Sequence, residues 1–300
     1  EVAKVPSTLG DQSKGFIEGI KQKVTDFTEV ATVVHGTTVG TNALLERKGA
    51  KTGIITTTGF RDVLEMRRRD RPNTWGLWGQ FEPVVPRDLR LEVAERTLAD
   101  GTLHTPVNPD DVKQAARALL ASGAESVCIV FINAYANTEN EQRALQALRE
   151  VWPNDYVGAS TDILPEIREF ERTSTTTLNA YLQPVVASYL HKLENALNDD
   201  GFGGQVLIVQ SNGGVMTVDT ARQLPVRTAL SGPAAGVIAS AYIGEQAGFP
   251  NVITCDMGGT SFDVCVIKDG EIPTTSDSWV GEHRVAIKMV DVPTVGAGGG

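Results

Sequence analysis

The sequence predicts an α/β protein, with a largely parallel or mixed sheet carrying helices on its faces. Three observations lead there. Short β-branched runs alternate with longer helical patterns along the 300 residues. Hydrophobic residues are 41% and charged residues 21% of the chain, the composition of an ordinary globular protein with material for a sizeable core. No low-complexity tract and no period of about 20–50 residues replaces the alternation.

Taken in order, VATVVHGTT (30–38) reads as a strand entering a turn, and TNALLERKGA (41–50) as a helix with Leu44 and Leu45 on its apolar edge and Gly49 as its stop. TGIITTT (52–58) reads as a buried strand. Residues 106–120 form a helix whose first turn holds Asp110 and Asp111, where carboxylates complement the macrodipole. SVCIVFINAY (126–135) is a second buried strand, and ENEQRALQALREVW (139–152) an amphipathic helix. After a break at 153–155 and a short YVGAS, a long helical region runs from about 165 to 197. NDDGFGG (198–204) is a loop, and VLIVQSNGG (206–214) is a strand ending in a turn. SGPAAGVIASAYIGEQAG (231–248) is a helix with Ser231 as N-cap and Pro233 near its first position. Residues 251–272 read as strand, glycine turn, strand, tight turn at Lys268-Asp269-Gly270, and third strand.

The formal net charge of −10 argues against a nucleic-acid protein that relies on a broad basic surface, while leaving room for a local cationic pocket. No apolar run approaches the roughly 20 residues that span a bilayer, which points away from a membrane protein. The opening EVAKVPSTLG has no apolar stretch of a signal peptide. Cys128, Cys255 and Cys265 are too few and too scattered for a disulfide framework. Cys128 and Cys255 lie in apolar strand-like runs, so reduced, buried thiols and a cytoplasmic setting are expected. No CxxC or HExxH spacing occurs, which makes a Cys/His metal site an unlikely reading.

DMGGTSFD (256–263) is richest in chemistry. An apolar strand delivers Asp256 to its end. Gly258 and Gly259 permit backbone geometries that turn successive amide N–H groups toward one point, an anion nest suited to phosphate oxygens. Thr260 and Ser261 add hydroxyl donors. Asp256 and Asp263, one at each rim, would hold Mg²⁺ directly or through water, since that ion prefers oxygen ligands and keeps several waters. The plain alternative is a β-hairpin with a glycine turn. No GxxxxGK[ST] occurs, so this is not a P-loop.

Other candidates each carry two readings. Gly296, Gly298 and Gly299 in the terminal GAGGG let backbone approach a nucleotide, or form a flexible tail. Ser231 and Gly232 open a helix whose N-terminus attracts an anion, or simply cap it. Ser211-Asn212-Gly213-Gly214 lines a ligand cleft or makes an empty turn. His35 stands at a strand end, where open α/β sheets place ligands, as general base or as a structural hydrogen-bonder. His104, His191 and His283 have no motif around them. Arg67-Arg68-Arg69-Asp70-Arg71 greets a carboxylate, a phosphate or a partner, or is a solvated face. Glu169 and Arg172, three apart, can pair on one helix face, and some of the hydroxyls of residues 173–177 are expected to cap or back-bond.

DMGGTSFD resembles the phosphate hairpin of the actin, sugar-kinase and Hsp70 ATPase superfamily. The longer segments HGTTVGTNALLERKGAKTGIITTTGFRDVLEMRR (35–68), EFERTSTTTLNAYLQP (169–184), QSNGGVM (210–216), PVRTALSGPAAGV (225–237) and VPTVGAGGG (292–300) resemble the hydantoinase A/5-oxoprolinase family, in order and over nearly the whole chain. That family includes subunits of acetone and acetophenone carboxylases and of ATP-dependent lactamases. The resemblance implies an actin-like (ribonuclease-H-like) ATPase fold of two lobes. One lobe would cover residues 1–200, and the second, residues 205–300, would carry the hairpin at 252–272, with ATP between hairpins from each side. It also implies a fragment of a longer chain. Family members open with their own D-x-G-G-T-x-x-D hairpin before a Lys-Pro-Ser-Thr segment, and only the latter has a counterpart here, Lys4-Val5-Pro6-Ser7-Thr8. Where members tend to carry a Tyr-Asp pair after Arg-Pro, this chain has Arg71-Pro-Asn-Thr-Trp75-Gly-Leu-Trp78, so the substrate is left open.

The expectation is ATP- and Mg²⁺-dependent hydrolysis of a cyclic amide (5-oxoproline, hydantoin or lactam) by phosphoryl transfer to its carbonyl oxygen. Asp256 and Asp263 would hold the metal and position water, Gly258, Gly259 and Thr260 would grip phosphate, and His35 is a further catalytic candidate. The alternative is an ATP-binding subunit of an acetone- or acetophenone-type carboxylase acting on a ketone, with part of the chemistry in a hydantoinase B-type partner subunit. A sugar or acetate kinase shares the hairpin but not the segments at 35–68 and 169–184.

Overall fold

A computed structural model of the protein describes residues 2–6, 12–68, 81–257 and 262–295. In chain order the first elements are α1 (Gln12–Lys21), β1 (Thr32–His35), α2 (Val39–Leu45), β2 (Thr52–Thr57), α3 (Val63–Met66), β3 (Arg90–Val93), β4 (Arg96–Thr97) and β5 (Leu103–Thr105). They continue with α4 (Pro109–Ala121), β6 (Ser126–Val130), α5 (Glu139–Arg149), β7 (Val157–Ala159), α6 (Ser160–Ile163) and α7 (Glu169–Asp199). The remainder holds β8 (Gln205–Val209), β9 (Val215–Thr217), α8 (Val218–Gln223), α9 (Ser231–Gln246), β10 (Val252–Met257) and β11 (Phe262–Ile267). Five short strands close the list: β12 (Thr274–Thr275), β13 (Ser278–Val280), β14 (His283–Val285), β15 (Met289–Val290) and β16 (Thr294–Val295). The α/β class expected from the alternation is the one observed. The chain divides into two compact units, Glu1–Asn42 with Val185–Ser276 and Lys288–Gly300, and Ala43–Pro184 with Asp277–Ile287.

The second of these is built on a parallel sheet of order β3-β2-β6-β7. β2 and β6 are buried at every residue, as strands covered on both faces must be, and this is why neither shows a period-two alternation of apolar and charged residues. α4 and α5 cover the sheet with Val112, Ala116, Leu119, Ala144, Leu145 and Leu148. α4 starts at Pro109, three residues after the expected 106, because the Asn108 side chain caps it by accepting from the Asp110 amide at 3.1 Å; Asp110 and Asp111 occupy the first turn as expected. Gly53 lets α4 approach closely, since a Cβ there would stand 2.6 Å from a Leu119 methyl.

In this unit polar groups next to the buried sheet find partners across the fold. The hydroxyls of residues 173–177 do not all serve their own helix. Ser174 donates to the Arg284 carbonyl at 2.7 Å, and Thr175 accepts from the Ala286 amide at 2.9 Å. Arg172 does not stop at Glu169; it is buried and donates to the carbonyls of Phe131 (2.6 Å) and Glu166 (2.8 Å). Arg67 is half-buried, and Arg68 is exposed but meets a carboxylate. The Arg67 guanidinium lies 3.2 Å from the Phe81 ring centroid, and Arg68 grips Glu171 with two bonds of 3.0 and 2.7 Å.

In the first unit β1 pairs in parallel with β8, which pairs antiparallel with β9, and a second sheet has the order β10-β11-β16. α9 packs on β10 and β11 through Ala234 and Val237, against Cys265, Ile267 and Val290. Asp269 and Gly270 both have positive φ (52° and 77°), the geometry a two-residue Asp-Gly hairpin turn requires. The third strand expected after that turn shrinks to one bridge, Lys268 to Glu271; Pro273, lacking an N–H, cannot extend the ladder. Cys128 and Cys265 are buried free thiols, but Cys255 is exposed, because its side chain lies on the opposite face of the hairpin from Cys265.

Candidate functional site

The hairpin of β10 and β11 sets Asp256 directly opposite Asp263. Side chains at paired positions share a face with Cβ atoms about 5 Å apart, so two like charges face each other at the mouth of the hairpin. An arrangement that is unfavourable by itself becomes favourable once a cation sits between the carboxylates. An all-oxygen, two-carboxylate set suits Mg²⁺, which completes its shell with water and phosphate oxygens, so the residues fit the group. Among the described residues no cluster of three or more His, Cys, Asp or Glu side chains could hold a metal by itself.

The two carboxylates line a cavity of about 230 Å³ together with Thr254, Pro233, Gly236, Val237 and Ser240. Thr254 shares the Asp256 face of β10 and is tied across to Cys265, its Oγ1 accepting from that amide at 3.1 Å. Gly236 and Ser240 come from α9 at helical spacing, and an added Cβ on Gly236 would meet nothing within 4 Å, which leaves room beside the carboxylates. The sequence reading named none of Thr254, Gly236 and Ser240. Period-two alternation back from Asp256 and period-four spacing forward from Gly232 were the signals that mark them.

Ser231 does not cap α9. Leu230 takes the cap position in a left-handed conformation (φ 57°), and Ser231 is the first helical residue. Its buried hydroxyl donates to the Thr37 carbonyl at 3.1 Å, while the Leu230 amide donates to Thr41 Oγ1 at 3.0 Å. A buried carbonyl at residue 37 gains more from that hydroxyl than an exposed helix amide would. Pro233 sits third in the helix, where no intrahelical N–H is lost. The same bonds bring Ser231 and Gly232 beside the turn after β1; a Cβ on Gly36 would stand 4.0 Å from Gly232 Cα.

His35 ends β1 and is 7% exposed. Its Nε2 is 2.7 Å from the Tyr189 hydroxyl, and the Phe16 ring lies 4.2 Å away. Burial pushes its pKa down to about 4, so the ring is neutral at physiological pH. Neither Tyr189 nor Phe16 was legible as its partner. Ser211 is a turn residue tied to its neighbours: its hydroxyl lies within hydrogen-bond distance of the Arg227 and Ala229 carbonyls, and Gly213 supplies a φ of 86°. Gly258, Gly259, Thr260 and Ser261 lie outside the described residues, as do Gly296, Gly298, Gly299, Ser7, Thr8, Arg69, Arg71, Trp75 and Trp78.

Comparison with known proteins supplies the class to which this fold and hairpin belong. Residues 1–152 match the Hydantoinase/oxoprolinase N-terminal region and residues 172–300 match Hydantoinase/oxoprolinase. Caprolactamase of Pseudomonas jessenii is one relative: its subunit alpha is 33% identical over 312 residues, covering all of this chain and 45% of the relative. The crystal structure of that ATP-dependent enzyme matches with a TM-score of 0.86 at 31% identity, over 99% of this chain and 44% of the other. The acetone carboxylase beta subunit of Xanthobacter autotrophicus is 32% identical over 323 residues, covering all of this chain and 44% of the relative. A nucleotide-free acetone carboxylase structure matches with a TM-score of 0.84 at 31% identity, over 99% of this chain and 45% of the other. 5-oxoprolinase 1 of Arabidopsis thaliana is 29% identical over 317 residues, 95% of this chain and 25% of the relative. The chain belongs to the hydantoinase/oxoprolinase family. It spans about 45% of the length of the first two relatives. No helix among the described residues is long and apolar enough to cross a membrane.

Proposed function

We propose that this chain is the ATP-handling part of an enzyme that activates the carbonyl of a cyclic amide by phosphorylation and then opens the ring with water. The observation that carries the reading is the direct opposition of Asp256 and Asp263 across the hairpin, in a chain whose relatives include an ATP-dependent caprolactamase. Asp256 and Asp263 would hold Mg²⁺, which when bound would offset the charge of the phosphate oxygens. Gly258, Gly259, Thr260 and Ser261 donate to the phosphates, with Gly296, Gly298 and Gly299 and the Ser231–Gly232 helix start as further backbone contacts. The amide oxygen attacks the γ-phosphorus and ADP leaves; water adds to the activated carbon, the C–N bond breaks with the proton going to the departing amine, and a second water hydrolyses the resulting acyl phosphate to carboxylate and phosphate. Positioning and charge compensation carry such transfers, and the protein supplies both. His35, neutral and bonded to Tyr189, stays a candidate to polarise the carbonyl. A cytoplasmic location, where ATP is at hand, goes with this reading.

A second reading has similar support, since acetone carboxylase is as similar to this chain as caprolactamase. In it the chain is a nucleotide-binding subunit acting on a ketone, and a hydantoinase B-type partner completes the chemistry. One experiment separates them: ATP hydrolysis by the complete assembly, with a lactam or with a ketone plus bicarbonate. Asp256→Asn is expected to lower substrate-dependent ATP hydrolysis by at least about a hundredfold, with an unchanged circular dichroism spectrum. Wild-type turnover in that variant would falsify the metal and phosphate assignment.

A further inference from the structure

Arg67 and Arg68, at the start of the cationic run, have no part in the Asp256/Asp263 site, yet they line a cavity of their own. Arg67 and Arg68 face a space of about 500 Å³ within the unit that carries the parallel sheet. Its walls include Phe60, three residues past β2, and Ile132, two residues past β6. The cavity therefore opens at the C-terminal ends of two adjacent parallel strands, where open α/β sheets bind their ligands. A few hundred cubic ångströms is the size range of small-molecule sites.

The lining has two chemistries. Phe60, Ile132 and Phe170 give it apolar walls, and Met66 and Ile167 at its edge are 59% and 61% exposed, apolar surface that a bound molecule would take out of water. Against these stand Arg67, Arg68 and Arg168, with Glu169 in the lining and Glu171 paired to Arg68. Three guanidinium groups against two carboxylates leave the cavity locally cationic in a chain whose net charge is −10. Two of the guanidiniums are held in place beforehand: that of Arg67 sits over the Phe81 ring, and that of Arg68 is held in a two-bond pair with Glu171. Arg168 immediately precedes the 31-residue α7, so its charge adds to that of a helix start. Planar, fixed guanidiniums favour planar oxyanions over neutral polar groups.

We propose that this cavity binds a small carboxylate with a compact apolar body. The inference does not rest on the ATP reading, which concerns residues of the other unit. Benzoate is the probe and benzamide, of the same shape without the charge, its control, titrated into the full chain by ligand-observed NMR and calorimetry. Benzoate is expected to saturate in the millimolar range or tighter, with benzamide at least about tenfold weaker. Arg168→Gln and Ile167→Glu both alter exposed positions and leave the core intact, and each is expected to weaken benzoate at least about tenfold. Asp256→Asn is expected to bind benzoate as the wild type does, so a failed ATP reading leaves this result standing. The inference is overturned if benzoate does not saturate, if benzamide binds as well, or if either cavity variant keeps wild-type affinity.

Discussion

His35 gives the sharpest physical test of the first unit. A histidine whose folded pKa is about 4, against about 6.5 when exposed, is held neutral by burial. The depressed value fixes the sign. Above pH 6.5 the ring is neutral in both states and favours neither. As the pH falls from 6.5 towards 4, the unfolded chain takes up a proton that the folded chain refuses, and stability is lost. At pH 5 the linkage amounts to roughly 2 kcal/mol relative to pH 7, rising to about 3 kcal/mol below pH 4. His35→Gln keeps a side-chain partner within reach of the Tyr189 hydroxyl and removes the titration. Amide hydrogen exchange of β1 and β8, measured at pH 7 and pH 5 and corrected for intrinsic rates, reads the local stability without assuming that the two units unfold together. The wild type is expected to lose roughly 2 kcal/mol of local protection that the variant does not lose. An imidazole resonance for His35 titrating above pH 6, or an equal loss in both proteins, would refute the reasoning.

Other outcomes follow from burial elsewhere. Glu141 is buried and accepts from the Phe131 amide (2.8 Å), the Ser160 hydroxyl (2.6 Å) and the Thr161 amide (3.0 Å). Glu141→Ala strands three donors and is expected to cost on the order of 4 kcal/mol, with Glu141→Gln costing about half as much, read by urea unfolding. Burial raises the Glu141 pKa, so its contribution to stability is greatest below the ordinary carboxylate range and declines as the pH rises through the raised value; Glu141→Gln is expected to flatten that decline. Cys255 is exposed, whereas burial pushes the Cys128 thiol up to about 12. Iodoacetamide at pH 8 is expected to modify Cys255 first and to leave Cys128 intact until the chain unfolds, as peptide mass mapping would show.

Local patterns were readable because they depend on near neighbours in the chain. The first turn of α4 was marked by its two adjacent aspartates, Asp110 and Asp111. The opposition of Asp256 and Asp263 needed only two strand-forming runs joined by a glycine turn, since pairing in a hairpin follows from counting outward. The buried strands β2 and β6 were equally plain, because a parallel sheet with both faces covered admits little else than apolar and β-branched residues.

What the tertiary structure decided was where polar groups spend their hydrogen bonds. Nothing local sends the Ser231 hydroxyl to Thr37, 194 residues away, or joins His35 to Tyr189 across 154. The hydroxyls of Ser174 and Thr175 and one arm of the Arg172 guanidinium likewise had local options and took remote ones. The reason is the same in each case. A buried donor or acceptor left alone costs more than a surface cap is worth, so the unmet need of a distant segment outweighs the preference of the residue's own turn.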